Sequence, residues 1–155
     1  MTTFTCGADS PEKMAEAALG YRDARAIKLK LTGEASDADR VRAVREARQD
    51  VWMGVDANQG FTLEGLENLV PVLVEARVKL IEQPLPVDHE KLLDYFVSLI
   101  PLAADESMQT LSDLSVLVGG FNVVNIKLDE CGGLTDGLAI ARAARKLGFQ
   151  VMVET

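Results

Sequence analysis

The sequence predicts an α/β fold built as an incomplete parallel barrel. Short apolar or β-branched runs alternate with longer amphipathic segments, which is typical of strand–helix–strand units in a parallel sheet. No low-complexity linker interrupts this alternation over the 155 residues. An ionisable residue also stands at the carboxyl end of five consecutive strands, an arrangement that favours a barrel.

Seven strands are predicted, at residues 3–6, 26–30, 52–56, 80–82, 102–105, 123–128 and 150–153. Six helices are predicted between them. Typical N-cap or first-turn residues open five of these helices: Ser10, Ser36, Thr62, His89 and Thr135. A complete eight-stranded barrel usually needs about 200–250 residues. We therefore expect one partial barrel domain over residues 1–155.

The ionisable strand-end residues decide between a barrel and an open sheet. They are Lys30, Asp56, Glu82, Asp105 and Lys127, separated by 26, 26, 23 and 22 positions. A barrel brings the ends of successive strands together on one face, whereas an open doubly wound sheet spreads them along a line. The even spacing therefore favours the barrel, with a site at the carboxyl ends of its strands.

Composition indicates a small-molecule partner. The net charge is −8 and the basic residues are interleaved with acidic ones, which argues against nucleic-acid or anionic-membrane binding. Cys6 and Cys131 lie far apart, and with His89 as the single histidine no Cys/His zinc site can form. No apolar stretch approaches the roughly 18 residues of a membrane span, and no signal peptide is visible. We expect a cytoplasmic protein with His89 exposed at a helix start.

The three strand-end carboxylates, Asp56, Glu82 and Asp105, predict a metal site. Oxygen ligands without histidine or cysteine suit a hard divalent ion, and Mg²⁺ is the natural candidate. The alternative is that these acids are N-caps or solvated loop residues.

Two lysines flank the predicted metal site. Lys28 and Lys30 share one face of their strand, and crowding by a second ammonium and a metal is expected to lower a lysine pKa toward that of a usable base. Lys30 and Lys127 would then lie on opposite sides of the metal, suited to removing and returning an α-proton through an enediolate. The alternative is that Lys28 or Lys30 pairs with Asp56 in a structural network.

Four further residues are candidates for supporting roles. Asn125 and Asp129 share a face with Lys127, by the period of two that strands follow. Asn58 follows a predicted ligand by two positions and is expected to hydrogen-bond a neighbouring ligand. Glu106, beside Asp105, is expected to pair with a lysine. Asn58 and Glu106 could equally be ordinary loop residues.

At these positions the sequence resembles the enolase superfamily, muconate lactonizing enzyme subgroup. The matching segments are AIKLK at 26–30, DANQG at 56–60, IEQPL at 81–85, ADES at 104–107, NIKL at 125–128 and GGLT at 132–135. Within the subgroup, the sequence around Lys127 most resembles that of dipeptide epimerases of the L-Ala-D/L-Glu type. The residues that depart from the pattern are 151–155, where a glycine-containing continuation is expected.

The resemblance implies a TIM-type (β/α)7β barrel without its capping domain and last strand. It implies Mg²⁺ ligands at Asp56, Glu82 and Asp105, an acid/base pair of Lys30 and Lys127, and Lys28 as the residue that tunes Lys30. The activity implied is Mg-dependent epimerisation of dipeptides.

Several alternatives to this epimerase stay open. Within the subgroup they are o-succinylbenzoate synthase, N-acylamino-acid racemase and cycloisomerase activity. Outside it they are Schiff-base chemistry at Lys127, or an inactive barrel fragment that self-associates. A homo-oligomer is expected, because an unclosed barrel leaves strand edges that another copy could cover.

Overall fold

The computed structural model describes residues 2–154, which form a single sheet of seven parallel strands in sequential order. The strands are β1 Phe4–Cys6, β2 Ala26–Lys30, β3 Trp52–Asp56, β4 Leu80–Glu82, β5 Leu102–Ala104, β6 Val123–Lys127 and β7 Gln150–Glu154. Parallel strands that neighbour each other in chain order are the arrangement of a (β/α) barrel. The prediction of an incomplete TIM-type barrel with seven strands is confirmed.

Five α-helices, rather than the six predicted, accompany the strands. They are α1 Pro11–Gly20, α2 Asp37–Ala47, α3 Leu63–Glu75, α4 Leu114–Leu117 and α5 Leu134–Lys146. Between β4 and β5 the chain forms a 3-10 turn, Glu90–Leu93, where a sixth helix was predicted. The Glu90 side chain turns inward there and accepts hydrogen bonds from the Asp88 N–H and the Ser107 hydroxyl. These contacts fix the segment as a loop against the next strand end.

Helix starts were predicted correctly at two N-caps. The Ser10 hydroxyl accepts a hydrogen bond from the Lys13 N–H, and the Thr62 hydroxyl accepts one from the Gly65 N–H. Each bond satisfies a backbone donor that the first helical turn leaves without a partner. His89 precedes the 3-10 turn and is exposed, as expected.

The two faces of the sheet differ in character. Its outer face is apolar, and buried residues such as Ile27 and Val55 pack against helix residues such as Val41 and Leu66. Side chains alternate between faces along a strand, so the residues between these apolar ones point into the barrel. Charged and amide side chains therefore gather on the inner face.

Strand register places the ionisable residues in neighbouring positions. Lys30 on β2 is the direct partner of Asp56 on β3, and Asp56 is the partner of Glu82 on β4. Toward the opposite edge of the sheet, Lys127 on β6 is the partner of Glu154 on β7. The carboxyl ends of these strands thus meet at one end of the barrel.

Two buried arginines, Arg45 and Arg48, bind backbone carbonyl oxygens near the amino ends of the strands. The Arg48 guanidinium donates to the carbonyl oxygens of Ala18, Tyr21 and Ala24 at 2.6–3.1 Å. Arg45 donates to the carbonyl oxygen of Ala76 at 2.6 Å and to two further carbonyls. Carbonyls at helix ends lack partners within the helix, so these arginines satisfy groups that burial would otherwise leave unpaired.

The strands at the two ends of the sheet each have one neighbour. Among residues 2–154, β1 pairs with β2 and β7 pairs with β6, and no ladder joins β1 to β7. None of the helices described between residues 2 and 154 has the length and apolar composition needed to cross a membrane. The cytoplasmic location stays a prediction.

Candidate functional site

The predicted metal ligands come together as a buried carboxylate cluster at the carboxyl ends of the strands. Asp56 ends β3, Glu82 ends β4 and Asp105 follows β5. Asp56 and Glu82 are fully buried and Asp105 is 5% exposed. Solvated loop acids would be exposed, so the alternative that these are surface residues does not fit the structure.

Lys30 and Lys28 both contact the cluster. The Lys30 Nζ donates to Asp56 Oδ2 at 2.6 Å and to Asn58 Oδ1 at 2.8 Å. The Lys28 Nζ lies 3.1 Å from Glu82 Oε2 and 3.4 Å from Asp56 Oδ2. The ion pairs considered as an alternative for these lysines are therefore present.

Lys127 contacts the cluster from β6, toward the opposite edge of the sheet from Lys30 on β2. Its Nζ lies 2.9 Å from Asp105 Oδ2, and its side chain is 26% exposed. Burial alone would lower the Lys127 pKa, but the hydrogen bond to Asp105 and the Asp105 charge outweigh burial, and the pKa is raised above its ordinary value. The nearest charged neighbour of Lys127 is thus the Asp105 carboxylate, and the lowering of a lysine pKa beside a bound metal stays a prediction.

Asn125 lies at the centre of the acidic cluster. Its amide nitrogen donates to Glu82 Oε1 at 2.9 Å and lies 3.4 Å from Asp105 Oδ1. The side chain is fully buried, and its Oδ1 has no hydrogen-bond partner among residues 2–154. Asn125 therefore supports two of the predicted ligands, in agreement with its placement beside Lys127 on the inner face.

Glu154 joins the same cluster and was not among the predicted site residues. Its Oε1 accepts from Lys28 Nζ at 3.1 Å and its Oε2 accepts from Asn125 Nδ2 at 2.9 Å. One carboxylate oxygen from each of Glu82, Asp105 and Glu154 lies within 4.8 Å of the others. The spacing rule that found the other strand-end acids would have found Glu154, had it been extended to the seventh strand.

The cluster concentrates negative charge in a buried space. Burial raises the Glu82 pKa to about 7, with the neighbouring Asp56 charge acting in the same direction. Burial raises the pKa of Asp105 as well, against the opposing effect of Lys127. Lys28 is also buried, which lowers its pKa, but the charges of Glu82 and Asp56 outweigh burial and hold the ammonium strongly protonated. Oxygen donors crowded in this way are the donor set that a hard divalent cation takes, so the residues present fit Mg²⁺.

The remaining supporting candidates fall in different places. Asn58 contacts both a ligand and a lysine: its N–H donates to Asp56 Oδ1 at 3.0 Å. Glu106 accepts from Asn58 Nδ2 at 3.3 Å instead of pairing with a lysine, because the Asn58 amide lies between it and Lys30. Asp129 is exposed in the turn after β6, where the strand alternation has ended, so it does not share the inner face.

Gln83 holds the loop that carries Asp105 in place, and it was not among the predicted site residues. Its Oε1 accepts from the backbone N–H groups of Asp105 and Ser107 at 2.9 and 3.1 Å. Its Nε2 donates to the Ser107 hydroxyl and to the Leu85 carbonyl, both at 2.9 Å. The side chain is 1% exposed. Gln83 thereby fixes the strand end after β5 to the strand end after β4.

The barrel interior opens into a cavity of about 400 Å³. Among its lining residues are Lys28, Gly54, Glu82, Met152 and Glu154. The cavity reaches the acidic cluster between β1 and β7, the two strands that do not pair with each other. Fold and site together define a parallel (β/α)-barrel protein with an oxygen-ligand cluster flanked by lysines.

Comparisons with known proteins agree with this class. A family model described as enolase C-terminal domain-like matches residues 12–155, and the chain therefore belongs to the enolase C-terminal domain-like family. The chain is 39% identical to an L-Ala-D/L-Glu epimerase of Escherichia coli over 99% of its own length. It is 42% identical to an N-acetyl-D-glutamate racemase of a Pseudoalteromonas species over 96% of its length.

A solved structure shares the fold of this chain. The dipeptide epimerase of Enterococcus faecalis complexed with Mg and the dipeptide L-Leu-L-Tyr superposes with a TM-score of 0.93 at 32% identity, over 99% of this chain and 46% of that one. The chain spans about half the length of the curated relatives that it matches, 48% and 47% for the two named above.

Proposed function

We propose that residues 1–155 form one partial barrel domain carrying the reaction core of a Mg²⁺-dependent epimerase that acts on dipeptides of the L-Ala-D/L-Glu type. One observation carries the proposal: Lys30 and Lys127 contact the buried carboxylate cluster from opposite sides, through Asp56 and Asp105. Two lysines placed this way suit removal of an α-proton on one face by a neutral amine and return of a proton on the other face by an ammonium.

Asp56, Glu82 and Asp105 are the residues that would hold Mg²⁺. The bound ion supplies positive charge that stabilises the enediolate formed when the α-proton leaves a carboxylate substrate. Asp56 is paired with Lys30 and Asp105 with Lys127, so both acids are already aligned with the lysines that would act on the substrate.

Lys30 and Lys127 would exchange roles with the direction of the reaction. The lysine on the proton's side accepts it as a neutral amine, and the lysine opposite donates as an ammonium. Lys28 would act as a positioning residue, because its ammonium neutralises Glu82 and Asp56 at 3.1 and 3.4 Å and remains charged. Its position on β2 two residues before Lys30 allows it to tune that lysine electrostatically.

Two relatives support the proposed substrate class. An L-Ala-D/L-Glu epimerase and an N-acetyl-D-glutamate racemase are 39% and 42% identical to this chain, and the names of both refer to a glutamate with an acylated amine. We therefore expect a small carboxylate substrate with an N-acylated glutamate. Racemisation of N-acylamino acids is the second candidate function, which the 42% identity favours specifically.

Exchange of the α-proton with solvent tests both functions. In D₂O with Mg²⁺, L-Ala-L-Glu and N-acetyl-D-glutamate are followed by ¹H NMR for loss of the glutamate α-proton signal. Exchange is expected to require Mg²⁺ and to be lost in Lys30→Ala and Lys127→Ala, while Lys146→Ala, at an exposed lysine of α5, keeps it. Exchange only with the acetylated substrate would assign the racemase, and exchange with neither would overturn both functions.

Self-association is the non-catalytic alternative, favoured by the edges of the sheet. Within the described chain, β1 and β7 each leave one side without a strand partner, and unpaired edges promote pairing between copies. Light-scattering mass measured together with Mg²⁺ titration separates the outcomes. An oligomer that binds no Mg²⁺ would favour a scaffold role over the enzyme.

A further inference from the structure

Glu154 ends β7 with both carboxylate oxygens directed into the predicted metal site, on the opposite side of Glu82 from Asp56. We propose that Glu154 is a fourth carboxylate ligand of the divalent cation, binding it together with Glu82 and Asp105. This inference rests on the proposed function, because it assumes that the carboxylate cluster binds a cation.

The Asn125 amide has too few hydrogens for the carboxylates around it. Oxygens of Glu82, Asp105 and Glu154 lie 2.9, 3.4 and 2.9 Å from the Asn125 amide nitrogen. An amide nitrogen carries only two hydrogens, so one amide cannot satisfy three carboxylates at once. Three acceptors converging on one weak donor is the pattern expected where a cation binds close by.

The other end of the Asn125 amide provides independent support. Its Oδ1 is fully buried and has no hydrogen-bond partner among the residues described. A buried amide oxygen without a partner is destabilising, because it has given up its hydrogen bonds to water. A cation bound among the carboxylates would let the amide rotate and turn this oxygen toward positive charge, which is how amide oxygens contribute to hard-metal sites.

The balance of charged groups also favours a bound cation. Four carboxylates, those of Asp56, Glu82, Asp105 and Glu154, face the ammonium groups of three lysines. Lys28 alone lies within 3.4 Å of three of these acids. Without Glu154 the carboxylates and the lysines would be equal in number, so Glu154 brings the acids to one more than the lysines, and it shares Lys28 with Glu82 and Asp56.

The spacing of the oxygens suits a divalent ion after small side-chain rotations. Oxygens of Glu82, Asp105 and Glu154 lie within 4.8 Å of one another. Two oxygens on opposite sides of Mg²⁺ are about 4.2 Å apart, and about 4.8 Å apart around Ca²⁺. Glu154 can move to close this difference, because its side chain is 40% exposed whereas those of Glu82 and Asp105 are buried.

The test uses the full chain with Mn²⁺ as the probe. Free Mn²⁺ is measured by EPR, and Mg²⁺ affinity is obtained by competition. Glu154→Gln is expected to weaken Mn²⁺ binding about tenfold or more, since even residues behind the ligands contribute that much. Glu67→Gln, at an exposed acid of α3, is the matched control and should bind like the parent.

A count of metal-bound water distinguishes a ligand from a residue that acts only through Asn125 or Lys28. If Glu154 binds the ion, Glu154→Gln adds one water to bound Mn²⁺, as seen in water-proton relaxation. An unchanged water count, or affinity within about twofold of the parent, would overturn the inference. If Asp105→Asn then abolishes binding, the proposed Mg²⁺ site stands without Glu154. If the parent, shown folded by circular dichroism, does not bind Mn²⁺, both proposals are wrong.

Discussion

The Lys30 ammonium donates to Asp56 Oδ2 at 2.6 Å, between residues that are direct partners across β2 and β3. One predicted acid/base residue is therefore held by one predicted metal ligand. A cation that binds Asp56 through Oδ2 must share that oxygen with the ammonium or displace it. Metal binding and release of Lys30 toward a substrate would then be linked events.

Replacing Lys30 by methionine should strengthen Mg²⁺ binding while abolishing proton exchange. Methionine keeps most of the apolar length of the side chain but removes the ammonium that competes for Asp56. We expect the Mg²⁺ dissociation constant to fall about threefold or more, because a like charge close to the cation is removed. Isothermal titration calorimetry measures the change, with Lys146→Met as the control. Weaker or unchanged Mg²⁺ binding would contradict competition between Lys30 and the metal.

Mg²⁺ affinity should rise with pH up to about pH 7. Burial raises the Glu82 pKa to about 7, so below that pH a proton occupies the carboxyl group that the cation needs. Binding at about pH 6 should release up to about one proton from Glu82, and binding at about pH 8 should release almost none. Calorimetry in two buffers of different ionisation enthalpy counts the protons. Equal affinity and no proton release at both pH values would show that Glu82 is ionised throughout.

Gln83→Leu should destabilise the chain by about 2–4 kcal/mol, because each buried polar group left without a partner costs about 1–3 kcal/mol. The substitution removes the acceptor of two backbone N–H groups, at Asp105 and Ser107. Urea denaturation measures the free energy of unfolding, and Gln49→Leu at an exposed position is the control. A loss as small as that of the control would show that Gln83 contributes little to stability.

Arg48→Met should cost about 2–4 kcal/mol for a similar reason at the other end of the barrel. Three carbonyls, those of Ala18, Tyr21 and Ala24, would lose their shared donor. The exposed Arg42 of α2 offers a matched control, and Arg42→Met should change stability by less than about 0.5 kcal/mol. Thermal unfolding followed by circular dichroism checks both variants, and equal melting temperatures would contradict the assigned role of Arg48.

The strands and their order could be predicted from the sequence because each buried strand leaves a local pattern. The same holds for Lys30, Asp56, Glu82 and Asp105, since each stands where an apolar run ends. That these residues cluster in space follows from parallel geometry alone. Their roles as ligands and bases are predictions that metal titration and proton exchange test.

Long-range contacts explain what sequence reasoning missed. The loop at Glu90 is held by Ser107, 17 positions further along the chain, and no local propensity reports such a bond. The direction of the Lys127 pKa likewise depends on Asp105, which a different strand delivers. Glu154 is a different case, because it stands where an apolar run ends, as the other strand-end acids do. The same local pattern therefore marks it.

The row formed by Lys30, Asp56 and Glu82 also protects the sheet against misalignment. If β3 slipped by one residue between its neighbours, Asp56 would turn toward the apolar helix layer and Val55 would enter the polar interior. An unpaired carboxylate in that layer would cost several kcal/mol, far more than an apolar strand would lose by the same slip. The charged residues proposed to bind the metal and transfer protons therefore also select the strand register in which the chain folds.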